Sequence, residues 1–268
     1  MVTSRVKRVS LLCMFIKVGS RTVNVVSFGS GSTTLLAIGG WIGTWQIWRM
    51  PFELLSTDWR CVAYDHRGSG QTLAPVSELT IDGLVDDVFA VADAMGVERC
   101  WIAGESQGGL VALMAAARQP ERFEGIVTIA APSRWESTPD RELFVRGLAQ
   151  DRHAMLTRFV RWCMPEPNTE LLQRWVLQLL MESEPEAGPA LIRNLYGCAL
   201  PANISEMTMP ALVIHGRQDT IIPPDNAAQI AAAVRGAQLL LLDEVGHVPT
   251  VTRPRQVAEA IRSFTGTG

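Results

Sequence analysis

Six short runs of this chain are apolar almost from end to end: "LLAI", "CVAYD", "CWIAG", "GIVTIAA", "ALVIHG" and "QLLLL". A strand with one wet face alternates apolar and polar residues. These runs do not, which suits parallel strands buried on both faces. Ahead of them, "MFIKV" and "TVNVVSF" flank "GSR" and read as an antiparallel hairpin. Amphipathic helical patterns fill most of the gaps. In residues 80–95, Leu84, Val88, Val91, Ala92 and Met95 share one face, with Asp82, Asp86, Asp87 and Asp93 mainly off it and Thr80 as the cap. Residues 106–118 form an alanine-rich helix, residues 223–234 open on Pro223 and Pro224, and residues 254–264 put Val257, Ile261 and Phe264 on one side. Strand and helix repeated in this way predict an α/β fold with a doubly wound, mostly parallel, eight-stranded sheet.

One connection breaks the rhythm. Residues 133–209 hold no convincing strand, only helical pieces separated by proline-bearing turns ("MPEPN", "SEPEAGP", "ALPAN"). That is too long for a structureless loop. It reads as a helical cap inserted after the sixth strand, into a core made of residues 1–132 and 210–268.

With 47% hydrophobic and 19% charged residues, the 268-residue chain has the balance of a soluble globular protein. A formal net charge of −3 and scattered basic residues leave no footprint for nucleic acid. No apolar run approaches the roughly 20 residues of a membrane span. "MVTSRVKR" followed by "VSLLCMFI" imitates a signal peptide, but Lys17 interrupts the apolar run and no small-residue cleavage site follows. Cys13, Cys61, Cys100, Cys163 and Cys198 are odd in number and lack CxxC spacing, as expected of reduced thiols in the cytoplasm.

The stretch "GESQGG" lies between an apolar run and the alanine-rich helix, with Gly104-x-Ser106-x-Gly108 at the turn. A serine on such a strand–turn–helix elbow projects its hydroxyl above the sheet, while small neighbours let strand and helix crowd together. The helix N-terminus adds free N–H groups and positive dipole for a developing anion. A serine hydroxyl attacks only when a base takes its proton and a third group fixes that base. Of four histidines, His66 shapes a turn, His153 is solvated and His215 ends a strand in a core role. His247, in "DEVGHVP" after the last strand, is the base of choice. Asp219 in "HGRQD" ends the preceding strand at the same carboxyl edge, where ligands of open α/β sheets bind. Asp65 precedes the serine and braces a loop; Glu244 faces solvent or caps a turn.

With "AIGGW", "YDHRGSGQT", "GESQGG", "HGRQDTIIPP" and "GHVP" in place, nearly the whole chain resembles the α/β-hydrolase superfamily. The order Ser106, Asp219, His247 is that of the fold's hydrolases. The resemblance implies an oxyanion hole made of the backbone N–H groups of Trp41 and Gln107. It usually brings His-Gly before the first donor; here the pair is Gly39-Gly40, so the loop lacks that side-chain anchor. Glu105 is also unusual beside the nucleophile: it either braces the elbow or places negative charge near His247 and raises its pKa. Family members often begin near a segment like "MFIKVGSRTVNVVSFGSG", which implies that residues 1–13 are a frayed extension, with Met14 as an alternative start.

The expected reaction is hydrolysis of a carboxylic ester or lactone through an acyl-serine. A serine at the elbow argues against the branches that work through an aspartyl ester. Carbon–carbon hydrolases of the family often carry tryptophan after the histidine, where this chain has Val248. Perhydrolases often carry methionine at Gln107. Both remain alternatives, as does a triad-bearing small-molecule receptor with little turnover. The pocket is expected between cap and sheet, at Gly40, Trp41, Trp45, Trp135 and Trp162, although the tryptophans also suit packing of cap on core. The dispersed histidines offer no metal site, and the glycines near "GSGS" lead into a strand, so no cofactor is expected. The expected partner is a small-molecule substrate, bound by a monomer or homodimer.

Overall fold

The computed structural model describes residues 11–266. Eight of its strands form one sheet: β1 (Leu11–Val18), β2 (Arg21–Phe28), β3 (Thr33–Ile38), β4 (Trp59–Tyr64), β5 (Cys100–Glu105), β6 (Phe123–Ile129), β9 (Ala211–Gly216) and β10 (Gln238–Leu242). Arg134–Trp135 (β7) and Cys198–Ala199 (β8) pair separately as a two-residue antiparallel ribbon. Across the sheet the order is β1-β2-β4-β3-β5-β6-β9-β10. The β1–β2 and β2–β4 pairs are antiparallel, and every pair from β4 onward is parallel. Every residue of β5 and of β9 is buried, as strands covered on both faces require.

The helices are α1 (Arg49–Leu55), α2 (Ile81–Ala94), α3 (Gln107–Arg118), α4 (Pro139–Gln150), α5 (Arg152–Cys163), α6 (Glu170–Met181), α7 (Ala187–Asn194), α8 (Asp225–Ala233), α9 (Pro249–Thr252) and α10 (Pro254–Thr265). Thr80 caps α2 by accepting the Gly83 N–H, and Leu84, Val88, Val91 and Ala92, with Met95 just past the helix end, face the core. Val257 and Ile261 anchor α10 in the same way. The α8 helix begins at Asp225, with Pro224 just outside it. Helices α4–α7 fill the long interval between β6 and β9, closed at its neck by the β7–β8 ribbon, which is too short to leave an alternating signature in the sequence.

Two expectations differ from the structure. Asp87, grouped with the aspartates mainly off the apolar face of its helix, is buried: it takes two guanidinium hydrogen bonds from Arg67 at 2.7 Å each and one from Arg21 at 2.6 Å. Those partners come from other elements, so a helical wheel of α2 alone cannot show why a carboxylate sits inward. Leu11, Leu12 and Cys13 are not frayed; they pair with Phe28, Ser27 and Val26 as the start of β1. The remainder of the expected extension, residues 1–10, lies outside the described residues.

Candidate active site

Ser106 follows β5 directly and caps α3, with φ 54° and ψ −122°. A non-glycine residue at positive φ costs about 1–3 kcal/mol, so its surroundings must enforce it. Here the enforcement is close packing. A Cβ on Gly104 would lie 2.0 Å from Gly108 O, and one on Gly108 would lie 2.4 Å from Gly39 O. Only glycines allow strand, helix and the loop after β3 to meet at this distance. The elbow is pinned further by the Ser106 N–H donating to Ile129 O at 2.8 Å.

The Ser106 hydroxyl lies 3.0 Å from His247 Nε2, and His247 Nδ1 lies 2.7 Å from Asp219 Oδ2. Asp219 Oδ1 accepts the N–H groups of Ile221 and Ile222 at 2.9 Å each, which fixes the carboxylate plane. Three residues chosen from the sequence as nucleophile, base and acid therefore form one hydrogen-bonded chain. Burial alone would raise Asp219, but the His247 charge and hydrogen bonds from His215 and His247 hold its carboxyl below the usual carboxylate range. Burial alone would lower His247; the Asp219 charge and hydrogen bond, with Glu105 behind them, outweigh it and raise the imidazole.

Several contributors escaped the sequence reading. His215 is fully buried as expected of a core residue, yet its Nε2 lies 3.1 Å from Asp219 Oδ2 as well as 2.8 Å from Ile222 O. Their four-residue spacing in "HGRQD" was the available signal. The His247 loop is tied to the helical interval: the His247 N–H donates to Cys163 O at 2.8 Å, and Glu166 Oε1 accepts the Gly246 N–H at 3.0 Å and the Thr252 hydroxyl at 2.8 Å. No local pattern around "MPEPN" announces that long-range clamp. Glu105 is buried and takes a hydrogen bond from the Thr250 hydroxyl, so it braces the elbow and also raises His247. Burial pushes the Glu105 carboxyl up to about 7, with the Thr250 bond and His247 charge opposing the rise.

Ser106 opens on a cavity of about 190 Å³ walled by Trp41, Trp135, Phe144, Phe159 and Trp162. Trp41 meets Phe144 and Phe159 edge-on, with ring centroids 5.6 Å and 5.3 Å away, and its indole N–H donates to Gly188 O at 2.9 Å. Gly40 abuts the serine: a Cβ there would lie 3.3 Å from Ser106 Cβ. Trp45 is corrected, since it does not line this cavity. Its N–H is drawn to Asp65 Oδ1 at 2.9 Å, and its ring turns to Phe28 at 6.0 Å. Phe144 and Phe159 replace it; aromatic residues on amphipathic helices look like packing residues in sequence. Gln107 N–H lies at the first turn of α3, and its side-chain amide is buried with no protein partner.

Such an arrangement can deprotonate a hydroxyl beside a mainly aromatic cavity that also carries Asp140 and Arg141, the latter stacked over Trp135 at 4.0 Å. Among the described residues, no group of three or more His, Cys, Asp or Glu side chains is placed to hold a metal ion. No helix among them is long and apolar enough to cross a membrane.

The sequence profile of a family described as alpha/beta hydrolase fold matches residues 33–185. The chain is 27% identical over 244 residues to the RutD protein of Rhizobium rhizogenes, which carries the name of a carbamate hydrolase; the match spans 86% of this chain and 92% of that one. It is 25% identical over 260 residues to the pimeloyl-[acyl-carrier protein] methyl ester esterase of Aeromonas salmonicida, spanning 91% and 100%. The crystal structure of the enol-lactonase from Burkholderia xenovorans superposes with a TM-score of 0.88 at 21% identity, covering 94% of this chain and all of that one.

Proposed function

The chain belongs to the α/β-hydrolase fold family, and from that premise we propose that it is a serine hydrolase of a small, largely apolar carboxylic ester or lactone. One observation carries the reading: Ser106, His247 and Asp219 form a continuous hydrogen-bonded chain whose serine faces an aromatic cavity. Ser106 Oγ attacks the acyl carbonyl as His247 Nε2 takes its proton. Asp219 holds the Nδ1–H and stabilises the imidazolium. The N–H groups of Trp41 and Gln107 receive the oxyanion. His247 then protonates the leaving group, and water activated by the same base releases the acid.

Residues 133–209 act as a cap over the core of residues 1–132 and 210–268, a division supported by a cavity that takes Trp135, Phe144, Phe159 and Trp162 from one part and Trp41 and Ser106 from the other. A cavity of about 190 Å³ lies below the ~300–1,000 Å³ of typical ligand pockets, which favours a compact acyl group. Five cysteines, odd in number and without CxxC spacing, favour a reducing compartment such as the cytoplasm. Relatives named as an ester hydrolase and as an enol-lactonase support the same bond class.

The test is turnover of a panel of short-chain p-nitrophenyl esters and five- to seven-membered lactones by the wild type and by Ser106→Ala. Turnover on at least one member that Ser106→Ala abolishes is expected. Turnover that survives in Ser106→Ala, or tight ligand binding with less than about one event per minute across the panel, overturns the proposal.

A further inference from the structure

We infer that His66 is the positioning residue of the oxyanion hole, holding the Gly40–Trp41 peptide so that the Trp41 N–H faces the serine. The role presupposes the serine-hydrolase reading above. It answers a problem in the loop after β3: Gly39-Gly40 carries no side chain that could fix a main-chain donor.

His66 is buried in the turn that follows β4, at 2% exposure, and is absent from the triad. Its Nε2 lies 3.0 Å from Gly40 O and its Nδ1 lies 2.9 Å from Arg67 O. Both carbonyl oxygens can only accept, so a neutral ring, with one proton, donates to one of them and an imidazolium to both; the role inferred here places a proton on Nε2, donated to Gly40 O. Gly40 C=O and Trp41 N–H belong to one planar peptide unit, and no peptide bond among the described residues is cis. In a trans unit the N–H points opposite to the C=O. Drawing Gly40 O toward His66 therefore turns the Trp41 N–H away from it. Gly40 itself packs against the nucleophile, with a hypothetical Cβ 3.3 Å from Ser106 Cβ and 3.4 Å from Glu105 O. A hydrogen bond accepted by the carbonyl also polarises its amide and strengthens the N–H as a donor.

The platform beneath His66 is rigid. Its carbonyl accepts both the N–H and the hydroxyl of Ser69 at 2.9 Å. The Gly68 N–H donates to Thr72 O, and the Thr72 N–H donates to Ser69 O, each at 3.0 Å. The neighbouring Asp65 takes the Trp45 N–H at 2.9 Å, so one turn grips the loop at both ends, His66 at Gly40 and Asp65 at Trp45. Within the loop the Gly43 N–H adds a second bond to Gly40 O at 3.1 Å. Those local bonds shape the turn; His66 ties it to the sheet edge.

The experiment compares the wild type with His66→Leu and His66→Gln on one p-nitrophenyl ester, with inhibition by a matched trifluoromethyl ketone and fluorophosphonate labelling of each protein. Removing an oxyanion donor outright costs about 10²–10³ in kcat, and a misaimed one is expected to cost less. His66→Leu should lower kcat by about 10–100-fold with KM within about 3-fold, and weaken the ketone in proportion to kcat. His66→Gln, which keeps an N–H donor, should recover a large part of both. A folded His66→Leu with wild-type kcat overturns the role, and so does a kcat loss that leaves ketone affinity unchanged. Should His66→Leu fail to fold, the wild-type imidazole ¹⁵N spectrum decides: a proton on His66 Nε2 supports the role, and a bare Nε2 overturns it. A wild type that takes no fluorophosphonate label brings down the hydrolase reading and this role with it. A labelled wild type beside an unaffected His66→Leu sinks the role alone.

Discussion

Replacing Glu105 by glutamine should stabilise the protein at pH 8 and make no difference near pH 4.5. Glu105 is buried at the elbow, and burial raises its carboxyl from 4.5 to about 7. The folded state therefore holds on to a proton that the unfolded chain releases earlier. Below pH 4.5 both states are protonated and nothing is lost. As pH rises through 4.5 the unfolded carboxyl ionises freely while the folded one resists, and stability drains away until pH passes about 7. At about 1.4 kcal/mol per pKa unit, a gap of about 2.5 units costs the wild type about 3 kcal/mol above pH 7. Glutamine does not ionise, and its amide carbonyl still accepts the Thr250 hydroxyl, so the packing survives while the penalty goes. Urea denaturation of wild type and Glu105→Gln at half-unit steps from pH 4.5 to 8.5 reads this directly. The variant's advantage should grow by about 3 kcal/mol across the series, roughly 6–12 °C in Tm at pH 8. A difference that stays flat from pH 5 to 8, or a variant less stable than wild type at pH 8, would refute the assignment of a proton to buried Glu105.

Kinetics should respond to the same group. His247 must be unprotonated to accept the serine proton, and it is raised by Asp219 and Glu105, so kcat/KM should fall as pH drops through a value above the ordinary ~6.5 of histidine; Glu105→Gln should move that limb to lower pH in a pH–rate profile. Asp219→Asn should keep the fold but lose the acceptor for His247 Nδ1–H, with kcat down by up to about 10⁴ in ester assays. Asp87→Ala leaves the buried Arg67 guanidinium without its carboxylate partner and should cost about 3–5 kcal/mol in urea unfolding, with kcat changed little where the protein stays folded.

What could be read from the sequence, and what could not, divides by the range of the interactions. Six of the sheet's eight strands were legible as continuous apolar runs and the first two as a hairpin about "GSR", and the long helical interval was legible because it lacks such runs. Ser106, Asp219 and His247 were legible because each follows a strand at the carboxyl edge, so topology alone brings them to one side. The interposition of β4 between β2 and β3 is not written in any local pattern. Asp87 on α2 was misread since its two arginines lie in β2 and in the turn after β4. Trp45 was misplaced because its ring packs on Phe28 of β2 and its N–H binds Asp65, long-range contacts that no local pattern shows. His66 was read as a turn residue, which it is; that it reaches Gly40 depends on two strands lying side by side.

The central claim is that Ser106 is an activated nucleophile, and intact-mass analysis after treatment with a fluorophosphonate probe addresses it without knowledge of the substrate. The account predicts one adduct per chain on the wild type and none on a folded Ser106→Ala. No adduct on a folded wild type, or an adduct that persists in Ser106→Ala, would contradict it.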